Sequence, residues 1–170
     1  MKQAPTPAPT PAQPAVLPQV AQVAAVGDPH LVNVFGQHFD IFQPGTHTLL
    51  EIPRGTGHKT PLLYVRADVS RSGGKCADMY FKTVNISGRW AHTHRVISYS
   101  VRKEMHLRWK KYGPVEIKIT WGHTSDGVRY LNFLAKHVKN TKYHVGGLLG
   151  EDDHTTVATA SARCKKTISL

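Results

Sequence analysis

Cysteine is nearly absent from this chain of 170 residues: there are two, Cys76 and Cys164. They form no CxxC pair and no zinc-finger spacing, which excludes the common thiol-metal and dithiol redox sites. Oxidised together they would close a long loop, worth about 4–5 kcal/mol less any native strain. In a reducing compartment they would stand as two free thiols. Acidic residues are the second shortage. Eleven Asp+Glu face 22 Lys+Arg, for a formal net charge of +11 and a pI of about 9.9. That excess favours anionic partners such as acidic glycans, nucleic acid or an anionic membrane surface, and says nothing about the fold. Eleven histidines add positive charge in a mildly acidic medium. Long apolar runs are missing too; none approaches the ~20 residues that a membrane helix needs. Lys2 is the only charge before Asp28, and prolines interrupt any apolar stretch there, so no signal peptide opens the chain. The expectation is a cytoplasmic protein or a piece of a longer secreted precursor. No phosphate loop, nucleophile elbow or carboxylate pair is fixed by spacing, which leaves no candidate for chemistry on an external substrate.

What is present begins with proline. Residues 1–26 hold six of the eleven prolines, in a Pro/Ala/Thr run without a packable face. A flexible spacer that samples extended conformations is expected, its threonines open to O-linked sugar on a secretory route. From residue 27 the apolar period changes to two. Thr46, Thr48, Leu50 and Ile52 alternate with His47, Leu49 and Glu51, and further strands are read at Leu62–Val69, Met79–Ile86 and Val96–Val101. In 104–111, Met105, Leu107 and Trp109 are assigned to one face, and Glu104, His106, Arg108 and Lys110 to the other. After the Tyr112-Gly113-Pro114 turn, Val115, Ile117, Ile119 and Trp121 form an inner row, and Ser125-Asp126-Gly127 turns into Val128–Ala135. Short strands with turn signals every 8–12 residues predict an all-β antiparallel sandwich over 27–170.

Two motifs stand out on that pattern. The first is Gly27-Asp28-Pro29-His30, followed by Phe35-Gly36-Gln37-His38-Phe39 and Gly45. The second is Gly147-Leu148-Leu149-Gly150, followed by Glu151, Asp152 and Asp153. Together and in this order they resemble the opening and the Gly-Leu-x-Gly loop of a von Willebrand factor type D domain. The Leu-Leu form and the low cysteine count are closest in flavour to the C-terminal region of inter-alpha-trypsin inhibitor heavy chains. The resemblance implies an extracellular, non-enzymatic module for assembly, adhesion or matrix contacts, and favours the oxidised Cys76–Cys164 pair. It also implies a calcium loop. Glu151 and Asp153 fall on the family's ligand positions with Asp152 beside them, whereas Phe35 stands where the opening-motif Asp is usual and cannot ligate. Calcium takes six to eight oxygens, so these three carboxylates with carbonyls and water would make a weak site. Asp40 is a replacement ligand to consider. An ordinary solvated acidic turn is the alternative.

In the heavy chains and some mucins the Asp–Pro bond of this motif is cut. The residues needed are here. The Asp28 carboxyl can attack its own main-chain carbonyl, proline's nitrogen can leave from a tertiary amide with a weak trans preference, and His30 can protonate it. The nucleophile is intramolecular, where effective molarities on the order of 10⁵–10⁸ M are reached in good geometry. The cyclic anhydride then opens to water, or to a sugar hydroxyl with formation of an ester. The bland reading is that Asp28, held extended by Pro29, simply leads into a strand.

Other candidates are weaker in pattern. His92 and His94 would share one side of a strand, without a third ligand fixed by spacing; His144 and His154 bracket the Gly-Leu-Leu-Gly loop. Arg102, Lys103, Arg108, Lys110, Lys111 and Lys118 outnumber Glu104 and Glu116, and are expected to gather on the outer face of strands either side of Gly113. Such a face suits sulfated or carboxylated polymers, or serves only for solubility. Nucleic acid is the rival partner, for a cytoplasmic β-protein, though no RNA-binding or helix-turn-helix motif is present and no aromatic row accompanies the charges. Asn85-Ile86-Ser87 is an N-glycosylation sequon. Three functions follow: an extracellular module binding anionic glycans or matrix proteins, an autoprocessing domain cut at Asp28–Pro29, and a nucleic-acid binder.

Overall fold

The computed structural model describes residues 22–56, 60–74, 78–92, 95–103 and 108–160. Ten strands are present: β1 Gln22–Val26, β2 His30–Val32, β3 His38–Asp40, β4 Gly45–Ile52, β5 Leu63–Arg71, β6 Met79–Ser87, β7 Ile97–Ser100, β8 Lys110–Tyr112, β9 Val115–His123 and β10 Arg129–Lys136. Single 3₁₀ turns occupy Arg89–Ala91 and Val138–Asn140. Among the described residues no helix is long and apolar enough to cross a membrane.

All the pairings are antiparallel, and the sheet curls into two layers. One runs β3-β2-β1-β10-β9-β8 and the other β4-β5-β6-β7. They join at one point, where Leu131 of β10 pairs with Phe81 of β6. β10 gives one whole edge to β9. Its other edge is shared, with Phe133–Lys136 on β1 and Leu131 on β6. The inner rows are those that the alternation requires. In one layer Ile117 and Ile119 pair with Ala135 and Phe133, with Val115 and Leu131 on the same inner rows, and Leu63, Val65, Ala67 and Val69 lie in the other, all in one buried cluster. The all-β sandwich is therefore as expected, and β5, β9 and β10 keep the period of two, while β4 and β6 break it at bulges.

Three features differ from the sequence reading. Gln22–Val26, grouped there with the spacer, is a strand inside the sheet, held between β10 and β2. Its alternation is built from small residues, with Val23 and Ala25 buried, a pattern that the neighbouring Pro/Ala run hides. The rest of the spacer, residues 1–21, lies outside the described residues, as do Cys76, Cys164, His94 and 104–107. Secondly, the faces assigned around Trp109 are reversed. The hairpin turn at Gly113-Pro114 sets Tyr112 against Val115, which sends Tyr112 inward. Lys110 then shares the inner parity, and Lys111 with Trp109 faces out, because a two-residue turn fixes the register of a short strand. Thirdly, His92 is not on a strand; it caps the 3₁₀ turn in a left-handed conformation.

Candidate functional site

Gly27-Asp28-Pro29 is the three-residue turn of the β1–β2 hairpin, with Val26 opposite His30. Gly27 has φ 74°, which favours glycine, and its N–H donates to Asn132 Oδ1 at 2.8 Å. The Asp28 carboxylate accepts the N–H of Met79 at 3.0 Å. Its pKa is raised nonetheless, because burial outweighs that hydrogen bond and the nearby Asp78 adds to the shift. Pro29 is buried. His30 is exposed and its Nδ1 lies 2.6 Å from Asp40 Oδ1, across the β2–β3 pair. Asp40 is thus the partner of His30 here.

Behind the hairpin sits a residue that the sequence did not single out. Asn33 is the one buried polar side chain among the described residues. Its Oδ1 accepts the N–H groups of Phe35 and Gln37, each at 3.0 Å, and its Nδ2 donates to Gln37 Oε1 at 2.7 Å. It folds the 33–37 turn so that Val34 donates its N–H to Leu149 O at 3.0 Å. The two sequence motifs therefore touch. Phe35, at the position where the family resemblance calls for a ligand, points outward at 47% exposure.

Residues 145–150 are buried and dock on the free edge of β4. Gly146 exchanges backbone hydrogen bonds with Glu51, and Leu148 and Leu149 donate to Thr48 and Leu49. A β-bulge between Thr48 and Leu50 makes room for the loop. Gly147 has φ 90°, and a Cβ there would lie 2.5 Å from Leu49 O. The acidic residues that follow are occupied and diverge. Asp152 accepts Arg54 Nε and the Gly147 N–H, both at 2.6 Å. Glu151 accepts the Val145 N–H at 3.3 Å and contacts His144 Nδ1 at 3.0 Å, with Arg54 at 4.0 Å. Asp153 turns to Thr155, whose N–H and hydroxyl bonds lower its pKa. His154 stacks on Phe39 at 3.9 Å. Among the described residues no three His, Cys, Asp or Glu side chains are grouped to hold a metal ion. The loop's carboxylates instead answer Arg54 and backbone N–H groups.

The opposite open side, between β7 and β8, is basic. Tyr99 of β7 meets Tyr112 of β8, hydroxyl to hydroxyl at 3.4 Å, and Lys110 Nζ donates to the Tyr99 hydroxyl at 3.1 Å. Burial pushes the Tyr112 hydroxyl pKa up. Arg102 and Lys103 lie in the turn after β7, Arg108 precedes β8, and all are exposed with Lys110 and Lys111. Lys118 is half-exposed on β9. Register puts Lys111 opposite Glu116, and Glu116 opposite Lys136 of β10. The cations therefore form a rim around one edge; Lys110 is turned from Lys111 by the reversed register. None of the six is ion-paired to a carboxylate among the described residues. The sequence reading missed Lys82, Arg129 and Lys136. Each sits over an aromatic ring, at 5.7 Å from Tyr80, 5.5 Å from Trp121 and 4.2 Å from Trp109. Register brings the last two pairs together, while Tyr80 and Lys82 are neighbours along β6. Trp121 keeps its inner row, half-buried and packed against the core beneath Arg129, whereas Trp109, expected on a buried face, is half-buried on the outer one beneath Lys136. Asn85 lies mid-strand in β6, opposite Arg66 and Ser98, and half-buried.

Compared with known protein families and with curated proteins, the sequence matches none.

Proposed function

We propose that this chain is an extracellular, non-enzymatic binding module of von Willebrand factor type D character, whose β7–β8 rim holds an anionic glycan. One observation carries the reading: a rim of cations around Tyr99 and Tyr112 with no carboxylate partner among the described residues. An ion pair at the surface contributes little to folding, so unpaired cations gathered at an edge are of more use to a partner than to the fold. On the other open side Asp152 and Glu151 are occupied by Arg54 and do not compete. Immobilised heparin tests it. The wild type should be retained at physiological salt. A Lys111→Gln, Lys118→Gln, Lys136→Gln variant should elute at clearly lower salt, since each lost contact removes roughly one released counterion. Equal elution of the two would defeat the proposal.

A second reading is self-processing at Asp28–Pro29. It is favoured by a carboxyl that stays protonated to higher pH than usual, in a turn that also carries His30. The Asp28 side-chain oxygen bonds to the Asp28 carbonyl carbon, the C–N bond to Pro29 breaks, and the proline nitrogen takes up a proton that the His30 imidazolium can supply. Water then opens the anhydride to a C-terminal Asp28. Incubation at mildly acidic pH followed by intact mass should reveal a species beginning at Pro29. Only full-length mass after days would end this reading.

A further inference from the structure

β6 changes partners along one edge. Phe81 pairs with Leu131 of β10, and two residues later Thr83 pairs with Ser100 of β7. The same place holds a β-bulge. Asp68 of β5 faces Thr83 and Val69 faces Phe81, which leaves Lys82 as the extra residue. A bulge re-aims a side chain, and here Lys82 and Thr83 both leave the core while Phe81 and Val84 stay in it. Lys82 spans the fork. Its carbonyl accepts the N–H of Val101 at 3.1 Å, and its Nζ donates to Arg129 O at 3.1 Å. Between the diverging strands lies a cleft of about 620 Å³, lined by Ser70, Lys82, Thr83, Ser100, Arg102 and Arg129.

Three cations from three elements meet there. Each has donor capacity to spare. The Lys82 ammonium has three donors and uses one; Arg102 and Arg129 are exposed residues, each with five guanidinium donors. Ser100 Oγ accepts the Arg102 N–H at 3.3 Å, which leaves its proton to donate outward. Thr83 donates its proton to Asp68, and Asp68 also takes the Thr46 hydroxyl at 2.6 Å, so that carboxylate is satisfied within its own strands. Partial burial lowers the Lys82 pKa, a sign of a desolvated ammonium that gains from a counter-charge.

We propose that this fork is a specific subsite for a sulfate or phosphate ester on a sugar, reached by the glycan that runs along the rim through Arg102. The inference rests on the glycan reading above and names its specificity. Donors arriving from two strands and a turn, rather than from one side chain, suit a tetrahedral oxyanion better than a planar carboxylate, which a single Arg fork would serve. The volume falls in the range of small-ligand sites, enough for the sugar that bears the ester. Single-stranded nucleic acid asks for open aromatic faces to stack its bases; here Trp121 lies under Arg129 and Tyr80 is 9% exposed.

The test measures Kd at 0.15 M salt for a heparin tetrasaccharide, its de-O-sulfated counterpart that keeps the carboxylates, and an oligodeoxythymidine of equal charge. The wild type should prefer the sulfated form by about 10-fold or more, and bind it more tightly than the oligonucleotide. Arg129→Gln, at an exposed position, and Lys82→Gln should each weaken the sulfated ligand by about 10-fold, the loss of one charge-assisted contact, and leave the de-O-sulfated one within about 2-fold, whereas Arg102→Gln, shared by fork and rim, should weaken both. Lys111→Gln should weaken both ligands alike. Melting temperatures identify any variant that fails to fold, and Arg129→Gln, at an exposed position, keeps the test alive if Lys82→Gln does. Unchanged affinity of the fork variants with heparin binding intact overturns the subsite and leaves the rim. Failure of the wild type to bind any glycan overturns the rim reading itself. An oligonucleotide that binds more tightly through the same three cations overturns the glycan. Competition with glucosamine 6-sulfate and glucosamine 6-phosphate names the ester, and displacement by neither overturns it.

Discussion

Asn33 shows how one amide can set the geometry of a whole corner. Its side chain stands in for a strand partner to two backbone N–H groups and so closes a turn that β2 alone would not make. Asn33→Ala removes a side chain that is 1% exposed and leaves two partly buried N–H groups without that acceptor. A fully buried unsatisfied group costs about 1–3 kcal/mol, so for two partly buried ones a loss of roughly 2–4 kcal/mol is expected in urea denaturation. A loss under about 1 kcal/mol would mean that water replaces the amide. Asp28 makes the opposite case. Its folded pKa lies above the unfolded one, so the folded state binds its proton more tightly. The charged carboxyl is therefore a burden above the folded pKa, and that burden is relieved as pH falls through it. Asp28→Asn keeps an acceptor for the Met79 N–H and removes the charge. It should melt higher than the wild type at pH 7, the gap closing towards pH 3; a gap that stays constant with pH would show that the charge is not the cause. Asp68 has the reverse sign. Hydrogen bonds from Thr46 and then Thr83 lower its pKa, so its contribution is present above the unfolded carboxylate range and fades as pH falls through the folded value. Asp68→Asn should destabilise at pH 7 and change little under strong acid.

At the scale of elements, the Gly-Leu-Leu-Gly loop and the β4 bulge are one device. The bulge turns Leu49 into the loop, where its carbonyl accepts the Leu149 N–H at 3.0 Å, and Gly147 lets the two backbones close. Gly147→Ala places a methyl carbon against Leu49 O and forces a non-glycine residue to φ 90°. Both effects cost free energy, together on the order of 2–4 kcal/mol, and the loop should show earlier hydrogen exchange than β5 or β6. The same loop tests the ionic reading. Arg54 already sits between Asp152 and Glu151, so millimolar calcium is expected to leave the wild-type melting temperature within about 1 °C, because only an ion that favours the native state can raise it. A larger rise would show that calcium displaces the arginine. This distinguishes what was legible from what was not. Alternation in Val115–Trp121 and Leu62–Val69 was enough to draw strands and a core, since period two follows from the pleat. The two motifs were visible as spacing, but their contact through Val34 and Leu149 was not. Nor was the fork, because Lys82 and Arg129 are far apart in sequence and only a bulge and a change of strand partner bring them together. Arg54 was invisible for the same reason: a lone arginine after a strand has no pattern.

For the whole molecule, the decisive strand is the one that the sequence hid. β1 lies between β10 and β2 in the middle of the larger layer, not at its edge. A chain beginning at Gly27 would keep both motifs, the entire rim and the fork. It would lose Val23 and Ala25 from the core, both nearly without solvent exposure, and the backbone bonds that run from Gln22–Ala25 to Phe133–Lys136 and from Ala24–Val26 to His30–Val32. Burial at about 25 cal/mol per Å² and about 1 kcal/mol for each hydrogen bond put the loss on the order of 5 kcal/mol or more, as large as the whole stability of many domains. It would also leave β10 and β2 with open edges facing each other across an empty slot, a template for aggregation. The expected outcome is a chain that loses near-ultraviolet dichroism and dispersed amide resonances, whereas one beginning at Gln22 keeps both. The same pairing has a consequence for the scissile bond. A cut at Asp28–Pro29 leaves β1 threaded between β10 and β2, so the two pieces should co-elute on size exclusion and part only in denaturant. Native spectra from the chain beginning at Gly27, or separation of the cut pieces in plain buffer, would show that β1 is an accessory to the sheet rather than part of its frame.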